Sequence, residues 1–195
     1  MARSAVVKRK TKETDIRVKI NIDGEGKGRI STGVGFLDHM LELFSKHSLI
    51  DIEIKAEGDV HIDDHHVVED VGIALGEAFK KAFANKKGIV RYSSARVPMD
   101  ESLVEASLDV SGRAYLAYKI KTRRIKLGSF NVGLVKEFMR AFVQNAQITL
   151  HLILISGEDV HHIYEAVFKA LAKVFREALK VDERVKGAPS TKGKL

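Results

Sequence analysis

Apolar positions along the chain recur with two periods, and each period predicts a different kind of element. Ile16, Val18, Ile20 and Ile22 alternate with polar residues, which is typical of a strand with one buried face. Elsewhere apolar residues recur every three or four positions, as on one face of a helix. The first half therefore predicts strands at Asp15–Asp23 and around Ile50–Ile54, and helices at Phe36–Ser45 and His65–Phe83.

The second half repeats the order of strands, helix, strand and helix. This order predicts an α+β fold of two duplicated halves, each a β-sheet covered on one face by helices. We place the halves at residues 1–92 and 93–186, and a polar C-terminal tail that contributes to the site at 187–195. With only two prolines and no long polar linker, the halves should pack as one unit. The second half predicts strands at Arg91–Met99, Leu103–Val110, Ala114–Ile120 and Ile148–Ile155, and helices at Val132–Asn145 and Val160–Leu179.

One polar motif occurs in both halves, at the start of each long helix. His65-His66-Val67-Val68-Glu69 recurs as His161-His162-Ile163-Tyr164-Glu165. Duplication of one unit explains the shared apolar positions, but it does not explain four histidines and two glutamates in register. The repeated motif therefore indicates a metal site.

Helix geometry limits how these motifs bind metal. A histidine and the glutamate three or four residues later lie on one face of a helix. Two adjacent histidines point about 100° apart, so they cannot easily bind the same ion. The spacing favours two metals, or sites shared between helix faces or subunits. Imidazole and carboxylate ligands without sulfur suit Mn, Fe, Co or Zn.

The helix upstream of each motif adds one more candidate ligand. When Phe36–Met40 is aligned with Leu134–Phe138, His39 falls opposite Glu137. Both residues are therefore candidate metal ligands, although an isolated glutamate on a helix is more commonly a solvated surface residue.

Composition restricts the class of protein. The 195 residues include no cysteine, which excludes disulfides, iron–sulfur clusters and thiolate-bound zinc. No apolar run approaches the roughly 20 residues that span a bilayer, and no signal-peptide pattern is present. We expect a cytoplasmic protein without a membrane partner.

Charge favours an anionic partner. The net charge of +7 suits phosphorylated metabolites or nucleic acid. A nucleic-acid-binding module would need stacking aromatics on a basic surface. Here the aromatics fall mostly on apolar helix faces, so we expect no nucleic-acid partner.

Short motifs in order along nearly the whole chain carry a family resemblance. They are Glu13-Thr14, Gly35-Phe36-Leu37-Asp38-His39-Met40, Asp64-His65-His66-Val67-Val68-Glu69-Asp70, Ser111-Gly112-Arg113, His161-His162-Ile163-Tyr164-Glu165-Ala166, Phe168-Lys169-Ala170 and Pro189-Ser190-Thr191-Lys192-Gly193. Together they resemble the imidazoleglycerol-phosphate dehydratases of histidine biosynthesis. The resemblance implies a fold like ribosomal protein S5 domain 2, two Mn²⁺ per active site and self-association into a 24-subunit homo-oligomer.

The resemblance also implies roles for individual residues. The family usually has a histidine where this chain has Glu137, and a carboxylate can also ligate Mn²⁺. The implied metal ligands are His39, His65, His66, Glu69, Glu137, His161, His162 and Glu165. The implied contacts to the phosphorylated imidazole substrate are Glu13, Arg91, Arg113, Lys169, Ser190, Thr191 and Lys192. The candidates for proton transfer are Glu13, Glu165 and His47.

The implied reaction is the Mn-dependent loss of water from imidazole glycerol phosphate to give imidazole acetol phosphate. A metal-bound imidazolate would expel the neighbouring hydroxyl through a diazafulvene-type intermediate, and a carboxylate or histidine would move the protons. An alternative is a dinuclear metal-dependent hydrolase of phosphate esters, which would use the same ligands to activate water. The two differ in product, since the hydrolase releases phosphate.

Overall fold

Two four-stranded sheets and four long helices make up the fold. The structure is a computed structural model, and it describes residues 3–122 and 126–193. The first half contains β1 (Ser4–Lys10), β2 (Thr14–Asn21), β3 (Gly28–Ser31), α1 (Gly35–Ser48), β4 (Asp51–Gly58) and α2 (His65–Ala82). The second half contains β5 (Tyr92–Met99), β6 (Ser102–Asp109), β7 (Tyr115–Lys119), β8 (Lys126–Leu127), β9 (Phe130–Asn131), α3 (Leu134–Ala146), β10 (Thr149–Ser156) and α4 (Val160–Ala178).

Both sheets have the same topology. The strand order is β1-β2-β4-β3 in the first half and β5-β6-β10-β7 in the second. In each sheet the last strand of the order runs parallel to its neighbour, and the other pairs are antiparallel. The predicted α+β fold with duplicated halves is therefore confirmed, while the exact boundary between residues 92 and 93 stays a prediction.

Helices form the inner layers of the molecule and the sheets form the outer ones. Helix α2 contacts β1 and β2, helix α4 contacts β5 and β6, and the helices pair across the halves as α1 with α4 and α2 with α3. Strand β2 alternates between buried and exposed residues, so each sheet buries one face against helices. This arrangement confirms that helices cover one face of each sheet.

One phenylalanine from each helix meets at the centre of the core. Phe44, Phe79, Phe142 and Phe175 are all buried. The rings of Phe79 and Phe175 lie 5.1 Å apart between centroids, and those of Phe44 and Phe175 lie 5.5 Å apart. Aromatic contacts at this distance add to the free energy of burial. The two halves therefore share a single hydrophobic core.

Most predicted elements are present within a few residues of their expected bounds. Strands β1 and β3 and the β8–β9 hairpin lie outside the predicted elements. In β1 only Val7 is buried, because this edge strand faces solvent along most of its length, and β3 has only four residues. Neither strand therefore carries a strong alternation of apolar and polar residues.

Two glycines allow α2 to approach α3 closely. A Cβ atom on Gly76 would lie 2.6 Å from the carbonyl oxygen of Phe142, and one on Gly72 would lie 2.8 Å from the carbonyl oxygen of Phe138. Backbone atoms cannot move aside as a flexible side chain can. The separation of these helices is therefore set by residues without side chains.

Gly76→Ala should lower the free energy of unfolding by about 2 kcal/mol, because overpacking of about 3 kcal/mol outweighs the better helix propensity of alanine. Urea denaturation of both proteins measures this difference. Gly35→Ala is the matched control, since nothing lies within 4 Å of its Cβ position at the start of α1. Equal stability of the Gly76→Ala variant and the wild type would show that α2 and α3 separate without loss.

Candidate metal centre

Contact between α1 and α4 brings His39 to the carboxylate of Glu165, which His161 also contacts from one turn earlier on α4. The Nε2 atoms of His39 and His161 lie 3.2 Å and 3.1 Å from Oε1 of Glu165. One ligand atom from each of the three residues lies within 4.8 Å of the others. We call His39, His161 and Glu165 the imidazole–carboxylate cluster. In the part of the chain that the structure describes, it is the one group with this geometry.

The start of α4 is fixed by its own capping residue. The Asp159 side chain accepts hydrogen bonds from the backbone N–H groups of His161 and His162, which satisfies two of the free donors at a helix start. At the start of α2, Asp63 accepts from the His65 backbone N–H at 2.8 Å. Both histidine pairs are thus held on ordered first turns.

Glu165 is an ionised carboxylate in a largely buried position. Its residue is 9% exposed, and Lys169 Nζ donates to Oε2 at 2.6 Å. Burial raises the pKa, but the hydrogen bonds from Lys169 and His39 outweigh it and hold the pKa of Glu165 at about 2. A buried anion beside two imidazoles is a suitable ligand set for a divalent cation.

Lys169 places a cation directly beside this cluster. Its Nζ also lies 3.2 Å from Sδ of Met99, in a half-buried position. The structure therefore places Lys169, a predicted substrate contact, one helical turn from Glu165 on α4.

Adjacent histidines point in different directions, in agreement with the helix geometry. The rings of His65 and His66 lie 6.2 Å apart with planes at 82°, and those of His161 and His162 lie 6.5 Å apart at 84°. His161 faces the cluster, whereas His162 does not. The two histidines of each pair thus face different surroundings.

The equivalent group in the first half is less compact. His65 Nε2 lies 3.6 Å from Oε2 of Glu69, its partner one turn later. Glu137 instead accepts a hydrogen bond from Arg140 at 2.7 Å, one turn along α3. Glu137 is not brought into a three-residue group with His65 and Glu69 among the described residues. Its role as a ligand stays a prediction.

The second histidine of each pair contacts acidic residues that the sequence did not indicate. Nδ1 of His66 lies 2.9 Å from Oδ2 of Asp59, and Nδ1 of His162 lies 2.8 Å from Oε2 of Glu101. These contacts raise the pKa of both imidazoles. One signal was available for Glu101, since Glu101-Ser102 at the start of β6 matches Glu13-Thr14 at the start of β2.

The three proton-transfer candidates lie in different surroundings. Glu165 belongs to the cluster, and Glu13 Oε2 lies 3.8 Å from His66 Nδ1. His47 lies two turns beyond His39 on α1. Burial and the nearby charges of Lys169 and Lys173 lower the pKa of His47, which keeps this imidazole neutral at pH 7.

Most of the predicted phosphate contacts lie far from the cluster in the same chain. Arg91 donates from its backbone N–H to the carbonyl of Ala178, at the end of α4 opposite to His161. Because a helix rises about 1.5 Å per residue, these ends are roughly 26 Å apart.

The tail lies beside Arg91. The Arg91 guanidinium donates to Asp109 at 2.8 Å and to the carbonyl of Pro189 at 2.7 Å. The Ser190 hydroxyl accepts from the backbone N–H of Lys192 at 3.2 Å, and the side chains of Arg113, Thr191 and Lys192 are exposed. The last two residues of the predicted tail, 194 and 195, lie outside the described residues. Within a single chain, Arg91, Ser190 and Lys192 thus lie apart from the imidazole–carboxylate cluster. We call these three residues the basic group.

The fold and the cluster define a duplicated α+β protein with an imidazole, carboxylate and lysine centre, which is an arrangement typical of an enzyme. Residues 32–175 match the family model described as imidazoleglycerol-phosphate dehydratase. The chain belongs to the imidazoleglycerol-phosphate dehydratase family, as its motifs predicted.

Full-length relatives agree with this assignment. An imidazoleglycerol-phosphate dehydratase of Caldanaerobacter subterraneus subsp. tengcongensis is 57% identical over 193 residues, which are 99% of this chain and 100% of the relative. One of Caldicellulosiruptor saccharolyticus is 53% identical over 195 residues, which are 100% of this chain and 99% of the relative.

Solved structures have the same fold. The crystal structure of imidazoleglycerol-phosphate dehydratase from Staphylococcus aureus matches with a TM-score of 0.84 at 40% identity, covering 92% of this chain and 99% of that one. The enzyme from Pyrococcus furiosus, crystallised in complex with (S)-C348, matches with a TM-score of 0.82 at 39% identity, covering 97% and 100%. Among the helices within residues 3–122 and 126–193, none has the length and apolar composition of a membrane span.

Proposed function

We propose that this protein removes water from imidazole glycerol phosphate to give imidazole acetol phosphate in histidine biosynthesis, with two Mn²⁺ ions per active site. The observation that carries the proposal is the meeting of His39, His161 and Glu165 beside Lys169. The family membership supplies the substrate, and the cluster supplies a place where its imidazole ring can be held.

The donor set fits a divalent cation. Two imidazole nitrogens and one ionised carboxylate oxygen converge without any sulfur, which suits Mn²⁺ among the first-row metals. When bound, such an ion supplies Lewis acidity that makes the substrate imidazole ring easier to ionise. The proposed ligands are His39, His65, His66, Glu69, Glu137, His161, His162 and Glu165.

The chain's own residues would orient the substrate and move its protons. The ammonium group of Lys169 is positioned to hold an anionic or hydroxyl oxygen beside the cluster. Glu13 has an exposed carboxylate near His66, so it is free to take a proton from substrate carbon and return one to the leaving hydroxyl. Glu165 is tied up by three partners, and this makes it a weaker candidate for proton transfer.

The separation of the basic group from the cluster favours a site shared between subunits. Arg91, Ser190 and Lys192 would bind phosphate through a guanidinium, a hydroxyl and an ammonium group. A small substrate cannot span roughly 26 Å, the length of α4 between the two groups. We therefore propose that a neighbouring copy completes each site, within a homo-oligomer of 24 subunits.

The test starts from protein stripped of metal with a chelator, with Mn²⁺ added back. We expect activity on imidazole glycerol phosphate to be lost on stripping and restored by Mn²⁺, with imidazole acetol phosphate as product and about two ions per chain. The alternative phosphate-ester hydrolase predicts release of inorganic phosphate from the same substrate. Phosphate release without the ketone product would favour the hydrolase, and activity that persists without metal would exclude both.

A further inference from the structure

Two acidic side chains lie against the second histidine of each motif, His66 and His162. Asp59 follows the end of β4 and contacts His66, and Glu101 precedes β6 and contacts His162. In both pairs the contact is made to Nδ1, at 2.9 Å and 2.8 Å. The same ring atom is therefore engaged in both halves, by carboxylates from different parts of the fold.

The Glu101 carboxylate is held in place by contacts other than the one to His162. Its Oε1 accepts from the hydroxyl of Ser102 at 2.8 Å and from the backbone N–H of Asp159 at 2.9 Å. The second oxygen, Oε2, is left for His162. Because Asp159 also caps α4, the acid and the helix that carries His162 are held to each other.

A carboxylate at Nδ1 decides which nitrogen of an imidazole can bind a ligand. An ionised carboxylate only accepts hydrogen bonds, so Nδ1 of its partner must carry the proton. In the neutral ring, Nε2 then has the free lone pair. His161 has the opposite contact, since its Nε2 faces Glu165 in the cluster. His66 and His162 are thus oriented by partners at Nδ1. Nε2 of His162 lies 3.8 Å from Oδ2 of the exposed Asp100, which is beyond hydrogen-bond distance.

The two halves differ in how they provide this acid. Glu13 and Glu101 precede equivalent strands, and each is followed by a buried hydroxyl residue, Thr14 and Ser102. Glu101 contacts its histidine at 2.8 Å, but Glu13 Oε2 stays 3.8 Å from His66 Nδ1. In the first half Asp59 makes the close contact instead. Glu13 is therefore not needed to hold His66, and its carboxylate is free for another task.

We propose that Asp59 and Glu101 are positioning residues that hold His66 and His162 with a proton on Nδ1, so that each Nε2 is presented as a metal ligand. The expected effect on metal affinity rests on the proposed function, whereas the position of the proton on each imidazole ring does not. Such outer partners of a ligating histidine typically contribute about 10- to 100-fold to metal affinity.

The experiment compares wild type with Glu101→Gln and Asp59→Asn. We expect Mn²⁺ affinity, measured by titration calorimetry on metal-stripped protein, to fall by about 10- to 100-fold in each variant. Glu105→Gln is the matched control, since Glu105 lies on β6, the strand that directly follows Glu101, and pairs with Arg96 at 2.6 Å without touching a histidine. The control should bind Mn²⁺ as the wild type does.

A second measurement reports the proton position without metal. In ¹⁵N solid-state spectra of histidine-labelled protein, His162→Ala and His66→Ala assign the signals of these rings. We expect the wild type to show both with protonated Nδ1, and each acid variant to lose this preference at its own histidine alone. Unchanged proton positions and unchanged Mn²⁺ affinity in variants that fold would overturn the proposal. Wild type that fails to bind Mn²⁺ but keeps both proton positions would instead contradict the proposed function.

Discussion

His161→Ala should abolish Mn²⁺ retention at the imidazole–carboxylate cluster and lower turnover of imidazole glycerol phosphate by about 1000-fold or more. The variant removes one of three converging ligand atoms and leaves Glu165 bound to Lys169 and His39. Loss of Lewis-acid catalysis is worth several kcal/mol, and each 1.36 kcal/mol is about tenfold in rate. Turnover with saturating Mn²⁺ and metal content per chain measure the two effects.

The matched control for this variant is His151→Ala. His151 lies in β10 beside Tyr115, with ring centroids 5.7 Å apart, and it takes no part in the cluster. The His151→Ala variant should therefore retain both its metal and its activity. If His161→Ala keeps bound metal and near-normal turnover, the assignment of His161 as a ligand is wrong.

Glu13→Gln should lower kcat by about 100- to 10,000-fold, the range that a positioned proton-transfer group contributes. Gln keeps the size of the side chain but cannot take a proton. Because Asp59, and not Glu13, makes the close contact to His66, Mn²⁺ affinity should stay near that of the wild type. The measurement is kcat at saturating substrate together with Mn²⁺ affinity by titration calorimetry.

Glu57→Gln provides the comparison for Glu13→Gln, since Glu57 is an exposed carboxylate paired with Lys55 at 2.8 Å on β4. It should leave kcat unchanged. A normal kcat in Glu13→Gln would show that Glu13 does not move the protons, and the role would be assigned to Glu165 or His47. An equal fall in kcat and in Mn²⁺ affinity would show that Glu13 acts on the metal site instead.

Glu165 and Glu13 are expected to act differently because their contacts differ. Glu165 is nearly buried and shared among His39, His161 and Lys169, so its charge is committed to holding a site together. The Glu13 side chain is exposed, which is why we propose that it meets the substrate. We expect these two glutamates to have different tasks because their surroundings differ.

Sequence periodicity predicted most of the fold because the buried face of each helix or strand repeats with the period of that element. Alternation in β2 and the three-to-four period in α2 and α4 follow directly from strand and helix geometry. The elements that escaped prediction have weak patterns, as in β1, where only Val7 is buried. Edge and short strands bury too few residues to leave a periodic signal.

The amino-acid sequence alone revealed the duplication, the family and the types of residue available for chemistry, and helix spacing showed that adjacent histidines must diverge. Which residues meet depends on the packing of the helices and sheets. The crossing of α1 on α4 brought His39 to Glu165, and strand ends placed Asp59 and Glu101 against His66 and His162. The packing also held Arg91 at the far end of α4. These contacts join residues on different elements, so they depend on how the helices and sheets pack and leave no period in the chain.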